Sequence, residues 1–204
     1  TPLIGMGQPG LISFEPTYAD ELAVIMKWGF EYMQADEGGS IYLRLSTRTI
    51  NQLQRTITPQ LEKDILRGAY WVIEPSNDSP LAIIYTGTVV PEVLDAFNDL
   101  KEDIPGLGLL SITSSDRLYH DWQRSLTISE NREQPHLERL FLRLNKKAAL
   151  ITVQDGHPAN LSWLGATTGR RVYPLGLTEF GQSGNLPDLF RTYKIDADAI
   201  IQMA

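Results

Sequence analysis

Apolar residues recur at helical spacing near the beginning of the sequence. They lie three, four, eight and eleven positions after the first of them, which places all five on one side of an α-helix. These residues are Leu22, Ile25, Met26, Phe30 and Met33. The spacing predicts an amphipathic helix over residues 17–35, with Thr17 and Asp20 as a capping-box-like start and Gly38-Gly39 after its end.

The segment after this helix alternates between apolar and polar positions. Ile41, Leu43 and Leu45 face one side of a predicted strand over residues 41–46, and polar or aromatic residues face the other side. Such alternation is typical of a strand that is buried on one face only. The sequence therefore predicts a helix followed directly by a strand.

This helix and strand lack an obvious sheet to join. Residues 1–16 have the composition of a loop, so no second strand is predicted within residues 1–50. We therefore expect the partners of the pair to lie elsewhere, upstream of Thr1, in a longer protein of which this chain is a truncated or proteolysed product.

A polar connector follows over residues 49–74. It contains a short predicted helix with Thr58 as the N-cap, Pro59 as the first helical residue and Gly68 as the stop. We interpret residues 49–74 as a linker between residues 1–48 and the remainder of the chain.

The remainder of the chain alternates between apolar strands and helices, which is typical of parallel βαβ units. The predicted strands are Ala69–Glu74, Leu81–Thr86, Leu107–Thr113, Ala148–Val153 and Arg171–Leu175. The predicted helices are Pro91–Lys101, Asp116–Arg124 and Pro135–Asn145. Because several strands are continuously apolar, the sheet is expected to be covered on both faces. The predicted fold class is α/β, with a mainly parallel sheet flanked by helices over residues 75–204.

Composition and charge exclude several classes of function. The chain has 18 basic and 25 acidic residues, a net charge of −7, which argues against a nucleic-acid partner. No run of about 18 apolar residues occurs, so we expect no membrane span, and the start of the sequence shows no basic region followed by an apolar stretch. The chain has no cysteine, which excludes disulfides and thiolate zinc sites. We expect a cytoplasmic protein.

One glycine pattern matches a known motif only formally. Residues 5–10 read G-x-G-x-x-G, but the dinucleotide motif requires a strand before the glycines and a helix that opens through them. Here the predicted helix begins only after Pro16, and Pro9 lies inside the would-be phosphate turn. We therefore expect a loop packed at a domain edge.

The histidines and serines offer weak candidates for chemistry. Of His120, His136 and His157, none is spaced from another as metal ligands on one helix would be, so no metal site is predicted. His157 follows the end of a predicted strand, where ligands of open α/β sheets gather, and is a candidate for substrate binding. The serines at positions 111, 114 and 115 lack a G-x-S-x-G elbow, and we expect them to cap the helix that begins near Asp116.

Arg48 is the other candidate for substrate binding. It follows the predicted strand in the stretch Leu45-Ser46-Thr47-Arg48, where a guanidinium could face a cleft and pair with a carboxylate or a phosphate. A surface salt bridge is the alternative interpretation.

Two segments together resemble one enzyme family. Residues 13–26, Ser-Phe-Glu-Pro-Thr-Tyr-Ala-Asp-Glu-Leu-Ala-Val-Ile-Met, resemble the end of the pyrimidine-binding domain of homodimeric pyruvate dehydrogenase E1 components. Residues 175–184, Leu-Gly-Leu-Thr-Glu-Phe-Gly-Gln-Ser-Gly, resemble the last strand and glycine turn of the transketolase-type C-terminal domain, as do residues 194–198. Ile112-Thr113-Ser114 also resembles the Val-Thr-Ser of that domain. The likeness covers nearly the whole chain in order.

The resemblance implies a thiamine diphosphate enzyme whose active site lies mostly outside this chain. The family binds thiamine diphosphate and magnesium through a G-D-G motif, which does not occur here, and its catalytic glutamate and histidine align before Thr1. We therefore expect no catalytic, cofactor-binding or metal-binding residue in this chain. One departure is that residues 45–48 are closer to the Leu-Ser-Arg of transketolases, in which the arginine contacts a sugar phosphate.

The leading hypothesis is the C-terminal portion of a homodimeric 2-oxo acid dehydrogenase E1, acting on pyruvate. As the family implies, the intact enzyme decarboxylates the 2-oxo acid and acylates the lipoyl group of its E2 partner. This portion would serve dimerisation and the shaping of the cleft. Two alternatives stay open: a relative of transketolase or deoxyxylulose-phosphate synthase, and an interaction module of this fold without catalysis.

Overall fold

The computed structural model describes residues 3–127 and 134–204, which form two sheets. The strands are β1 Leu11–Phe14, β2 Ser40–Leu43, β3 Ala69–Ile73, β4 Ser79–Thr86, β5 Gly108–Ile112, β6 Leu144–Gln154 and β7 Val172–Leu175. The α-helices are α1 Leu3–Gly7, α2 Ala19–Gln34, α3 Pro59–Arg67, α4 Val90–Leu100, α5 Ser115–Thr127, α6 His136–Leu140, α7 Ala159–Ser162, α8 Leu164–Thr168, α9 Leu186–Thr192 and α10 Ala197–Met203. Short 3₁₀ turns occupy Gly87–Val89 and Phe141–Arg143.

The N-terminal unit is a small β1–α2–β2 crossover. Strands β1 and β2 are parallel and in register from Leu11 opposite Ser40 to Phe14 opposite Leu43. The expectation that residues 1–16 are a loop, and that the helix and strand find no partner within residues 1–50, was therefore wrong. A strand of four residues is too short to show a period, and the polar Ser13 interrupts its apolar run.

Helix α2 turns a different face to its sheet than the apolar pattern predicts. Ile25 is buried together with Glu21 and Gly29, whereas Met26, Phe30 and Met33 are 40%, 54% and 47% exposed. Gly29 faces β2 so closely that a Cβ added there would lie only 2.8 Å from Ile41 Cδ1. Close packing against β2 thus selects a small residue, which a pattern based on large apolar side chains does not count.

The start of α2 also uses a different acid from the one expected. The Glu21 carboxylate accepts the backbone N–H groups of Thr17 and Tyr18 at 2.7 and 3.3 Å. The Asp20 carboxylate instead accepts two hydrogen bonds, at 2.7 and 2.9 Å, from the guanidinium of Arg55 in the connector. The capping interaction is therefore shifted by one residue along the chain.

The helix of the connector is the one that its caps predict. The Thr58 hydroxyl accepts the Leu61 N–H at 3.2 Å, Pro59 opens the helix, and Gly68 ends it with a φ of +110°. A left-handed residue is favourable only for glycine at this position, so the stop is encoded locally.

The main sheet has the strand order β3-β5-β4-β6-β7. Strands β4 to β7 are parallel and β3 is antiparallel at the edge, which confirms the predicted α/β class with a mainly parallel sheet. The division of the chain at residues 48 and 74 stays a prediction, although β3, placed in the predicted linker, is a strand of this sheet.

Both faces of the main sheet are covered, which explains its continuously apolar strands. Ile83 and Tyr85 face a core formed with α4 and α10, whereas Ala82 and Ile84 face a second core formed with α5, α6 and α8. All four side chains are fully buried. Each large apolar side chain buried in this way contributes roughly 1.5–3 kcal/mol to folding.

The predicted helix over residues 135–145 is shorter in the structure. Helix α6 ends at Leu140, a 3₁₀ turn follows, and Leu144 already belongs to β6. The helix ends early through a long-range interaction. The Arg170 guanidinium donates hydrogen bonds to the backbone carbonyls of Phe141, Leu144 and Asn145 at 3.0–3.2 Å. Among the described helices, none is long and apolar enough to cross a membrane.

Candidate functional site

A cleft opens where the connections of the main sheet change direction. From β4 the chain passes to β5 on one side, and from β5 it crosses back to β6 on the other side of β4. The carboxyl ends of β4 and β6, at Thr86 and Gln154, therefore form a topological switch point. Open α/β sheets bind their ligands in the crevice at such a point.

Both units of the protein contribute to this cleft, whose volume is about 300 Å³. The lining residues are Glu15, Pro16, Arg44, Leu45, Ser46 and Thr47 from the N-terminal unit and the segment after it, and Gly87, Thr88 and Asp155 from the main sheet. The carboxyl ends of β1 and β2 thus lie next to the carboxyl ends of β4 and β6 in the larger sheet.

Arg44 bridges two carboxylates in the cleft. One terminal nitrogen of its guanidinium donates to Glu15, and the other donates to the backbone oxygen of Asp155 at 2.7 Å and lies 3.4 Å from that residue's carboxylate. Burial raises the pKa of Glu15, and the neighbouring guanidinium offsets this only in part. Burial opposes the charge on Arg44 too, but the carboxylates of Glu15 and Asp155 raise its pKa above the ordinary value. The pairing with Arg44 therefore compensates part of the cost of burying the Glu15 charge.

The turn after β4 holds the Glu15 carboxylate directly against its backbone. Gly87 has a φ of +68°, and a Cβ at this position would lie 2.3 Å from Glu15 Oε1. Only glycine offers both the left-handed conformation and the space. The Glu15 carboxylate thus forms part of the cleft wall at the carboxyl end of β4.

The cleft has the chemistry of a binding site for a polar ligand. Glu15 Oε2 has no hydrogen-bond partner within the part of the chain that the structure describes, and the hydroxyl residues Ser46, Thr47 and Thr88 line the same cleft. Among the residues that line the cleft, there is no histidine that could activate one of these hydroxyls as a nucleophile. The arrangement can hold and orient a molecule.

Arg48 turns away from the cleft toward α4. Its guanidinium forms a bidentate ion pair with Glu92 at 2.7 and 2.8 Å, donates to the Thr88 carbonyl at 2.8 Å, and lies over the Phe190 ring at 5.2 Å. Bidentate pairing of this kind fixes a guanidinium in one orientation. Its role in substrate binding stays a prediction, with a carboxylate of the same chain already bound to it.

His157 lies beside the cleft and is exposed. Its Nδ1 accepts the Ala159 N–H at 3.2 Å, and its backbone oxygen accepts the Gln154 side-chain amide at 2.6 Å. The adjacent strand end supplies Asp155 to the cleft lining, so the predicted location at the carboxyl edge is correct. Its role as a substrate contact stays a prediction.

His136 is the buried histidine, and its contacts are structural. Nε2 lies 2.7 Å from the Ala69 carbonyl and Nδ1 lies 2.9 Å from an Arg139 nitrogen. Burial lowers its pKa, although the hydrogen bond to Ala69 opposes the change. A neutral ring that donates through Nε2 and accepts through Nδ1 satisfies both contacts.

Of the serines predicted to cap α5, Ser114 does so, whereas Ser111 lies within β5 and the Ser115 hydroxyl donates to Asn160 Oδ1 at 2.7 Å. Ser114 donates to the Ser13 carbonyl at 2.6 Å and accepts the Arg117 N–H at 3.4 Å, which confirms its predicted capping role. The glycine motif overlaps α1 and precedes β1, so the strand-to-helix order of a dinucleotide site is absent there. A Cβ at Gly5 would lie 2.5 Å from Ser13 Oγ, so this glycine serves close packing.

Glu15 and Arg44 were not predicted as site residues from the sequence. Each follows a short strand directly, Glu15 after β1 and Arg44 after β2. A charged residue immediately after a strand of a parallel pair was the available signal, since the carboxyl ends of parallel strands meet at one edge. The signal could be used only once β1 was recognised as a strand.

Comparison with known protein families identifies the larger unit. The family model described as the transketolase-like TK C-terminal domain matches residues 68–196. This range contains all five strands of the main sheet.

Curated relatives extend the match over nearly the whole chain. The pyruvate dehydrogenase E1 component of Cupriavidus necator is 28% identical over 198 aligned positions, gaps included, and the match covers 92% of this chain and 22% of the relative. The pyruvate dehydrogenase E1 component of Escherichia coli K12 is 26% identical over 207 aligned positions, gaps included, and the match covers 96% of this chain and 22% of the relative. The chain thus spans about a fifth of the length of these relatives.

Solved structures of transketolases share the fold. The transketolase of Campylobacter jejuni has a TM-score of 0.70 at 18% identity, covering 98% of this chain and 27% of that one. A split-gene transketolase, described as an inactive tetramer of beta subunits, has a TM-score of 0.68 at 15% identity, and the match covers 98% of this chain and 58% of that one. These matches confirm the resemblance drawn from the sequence. The chain belongs to the transketolase-like family, and residues 68–196 form its C-terminal domain.

Proposed function

We propose that this chain is the C-terminal portion of a thiamine diphosphate-dependent 2-oxo acid dehydrogenase E1 that acts on pyruvate. The observation that carries the proposal is the extent of the match to relatives named pyruvate dehydrogenase E1 component, which covers 92–96% of the chain. The family model alone covers the C-terminal domain. The additional match therefore includes the N-terminal unit.

The intact E1 would decarboxylate the 2-oxo acid and transfer the acyl group to the lipoyl group of an E2 acyltransferase. Pyruvate dehydrogenase E1 and transketolase-like proteins depend on thiamine diphosphate, which supplies the carbanion chemistry when it is bound. Among residues 3–127 and 134–204, no three His, Asp or Glu side chains come together as a metal site. Because Mg²⁺ is held by carboxylate and phosphate oxygens, the described residues do not fit its site, and we assign no step of the reaction to them.

The contribution of this chain would be to position the N-terminal unit and to shape the cleft between the units. Arginine side chains contribute to this positioning: Arg48 pairs with Glu92, Arg44 contacts Asp155, and Arg55 joins the connector to Asp20. The Arg48–Glu92 and Arg55–Asp20 pairs each have two parallel hydrogen bonds, and such pairs are directional, so they fix the orientation of the elements that carry them. We propose that the same portion takes part in a homodimer.

The assay that tests this function compares two classes of acceptor in the intact enzyme. We expect turnover of pyruvate with a lipoyl acceptor and no transfer between sugar phosphates. Transfer between sugar phosphates without pyruvate turnover would instead establish the transketolase alternative, whose fold is shared at 14–18% identity. Absence of both activities, with the intact protein folded and loaded with thiamine diphosphate, would favour a module without catalysis.

A further inference from the structure

Arg117, in the first turn of α5, is held between aromatic rings. Its guanidinium carbon lies 4.6 Å from the centre of the Trp28 ring and 5.8 Å from that of Phe14. Trp28 in turn stacks on Tyr32, with ring centres 4.9 Å apart and an interplanar angle of 12°. Stacking on a ring face holds a guanidinium in place while its N–H groups, which lie in its plane, stay available.

No acceptor in the described part of the chain receives these N–H groups. The Arg117 side chain makes no hydrogen bond or ion pair there, in contrast to Arg44, Arg48 and Arg55. Burial lowers the pKa of Arg117, and Asp116 offsets this only in part. A guanidinium nevertheless remains charged at neutral pH. Arg117 is thus a cation with five donors and no partner in this region.

The nearby carboxylates are already engaged. Asp116 accepts the backbone N–H groups of Ser13 and Arg117, each at 2.7 Å. Asp121 accepts the His136 N–H at 2.7 Å. Since both acids already accept backbone N–H groups in their present positions, a carboxylate that pairs with Arg117 would come from another molecule or segment.

Two further basic residues continue the same side of α5. His120 and Arg124 lie three and seven positions after Arg117, and helical residues at this spacing share a face. His120 is exposed, and the Arg124 side chain is 74% exposed with a single long contact of 3.8 Å to Asp121. We call Arg117, His120 and Arg124 the basic strip. It stands out because the whole chain carries a net charge of −7.

We propose that the basic strip is a docking site for an acidic peptide segment, with one carboxylate bound bidentately by Arg117. At 1.5 Å rise per residue, Arg117 and Arg124 are about 10 Å apart along the helix, which one small anion does not bridge but an extended peptide does. The rings of Trp28 and Tyr32 beside Arg117 offer apolar surface to the methylene groups of a glutamate side chain. Charge complementarity and this adjacent apolar surface both favour a peptide with several glutamates.

The test uses the 204-residue chain and a fluorescein-labelled heptaglutamate peptide, followed by fluorescence anisotropy at low ionic strength. We expect micromolar binding that weakens as salt increases. Arg117→Ala is expected to weaken binding at least about tenfold, and Arg117→Lys to recover only part of it, because an ammonium keeps the charge without the planar fork. Arg124→Gln, at an exposed position where folding is not at risk, is expected to weaken binding about threefold.

The matched control is Arg191→Ala, which removes an exposed arginine on α9 whose side chain is 72% exposed and should leave binding unchanged. Circular dichroism checks that each variant is folded. Equal binding by the wild type, Arg117→Ala and Arg124→Gln would overturn the proposal. Displacement of the peptide by inorganic phosphate at equal concentration would also overturn it, since the site would then be one for a small anion.

Discussion

Tyr70, on β3, donates its hydroxyl group to the fully buried carboxylate of Glu21 at the start of α2. Burial raises the pKa of Glu21, and the hydrogen bond from Tyr70 is the largest effect that opposes this rise. The same carboxylate holds the first turn of α2 through two backbone N–H groups. One contact between an edge strand and a helix cap therefore joins the N-terminal unit to the main sheet.

Removing this hydroxyl should loosen the junction between the units. We expect Tyr70→Phe to lower the free energy of unfolding by about 1.5–3 kcal/mol, the usual contribution of a hydrogen bond to a charged group. Urea denaturation measures the change. Tyr42→Phe, at a tyrosine that is 40% exposed on β2, is the matched control and should change stability little. Equal stability of the two variants would show that the Glu21 contact contributes nothing.

The raised pKa of Glu15 predicts how stability depends on pH. A carboxyl whose pKa is higher in the folded protein binds its proton more tightly there, so its ionisation favours unfolding. The stability of the wild type relative to Glu15→Gln is therefore greatest below pH 4.5 and falls as the pH rises through the raised pKa. Urea denaturation at a series of pH values checks this direction, with the exposed Glu179→Gln as the control. A difference that is constant or grows with pH would contradict it.

Gly87 offers a test of the close contact between the two units. Gly87→Ala should be destabilising for two reasons, the left-handed φ of +68° and a clash with the Glu15 carboxylate. Gly169→Ala is the matched control, because its φ of +71° is similar but no atom lies within 4 Å of its Cβ position. We expect the control to lose about 1–2 kcal/mol from conformation alone, and Gly87→Ala to lose more.

The clash can be separated from the conformational strain by a double-mutant cycle. In a Glu15→Ala background the cost of Gly87→Ala should fall to that of Gly169→Ala, because the carboxylate is gone. Thermal and urea denaturation provide the comparison. Additive effects of the two substitutions would mean that the carboxylate does not press on this turn.

For Arg48 the expected effect is on substrate binding in the intact enzyme. We predict that Arg48→Ala raises the KM for the substrate. Glu92→Gln, which weakens the ion pair but keeps the guanidinium, separates a direct contact from positioning. An equal rise in KM for both variants would indicate that the ion pair positions the cleft, and unchanged kinetics for Arg48→Ala would reduce Arg48 to a structural role.

The cofactor prediction concerns the 204-residue chain by itself. We expect calorimetric titration with thiamine diphosphate and Mg²⁺ to show no binding in the micromolar range, because the family motif G-D-G does not occur in the sequence. The intact E1 serves as the positive control. Micromolar affinity of the 204-residue chain would refute the prediction.

The fold could be predicted from the sequence where interactions between residues close in the chain determine it. The five strands of the main sheet follow from apolar runs separated by helices, and Thr58, Pro59 and Gly68 define α3 through interactions within four residues. Prediction failed where a distant residue intervenes, as Arg170 does in ending the helix after Leu140. It also failed for β1, whose four residues are too few to show a period.

The site shows the same division. The sequence by itself determined the α/β class, the alternation of strands and helices in a mainly parallel sheet, and the placement of His157 at the carboxyl edge. These features follow from hydrophobic periodicity and turn residues, which act locally. Only the tertiary structure decided that Arg44 bridges Glu15 and Asp155, residues 29 and 111 positions away in the chain. The reason is geometric: the carboxyl ends of parallel strands in two separate sheets must be brought together before these charges meet, and no local sequence pattern encodes that distance.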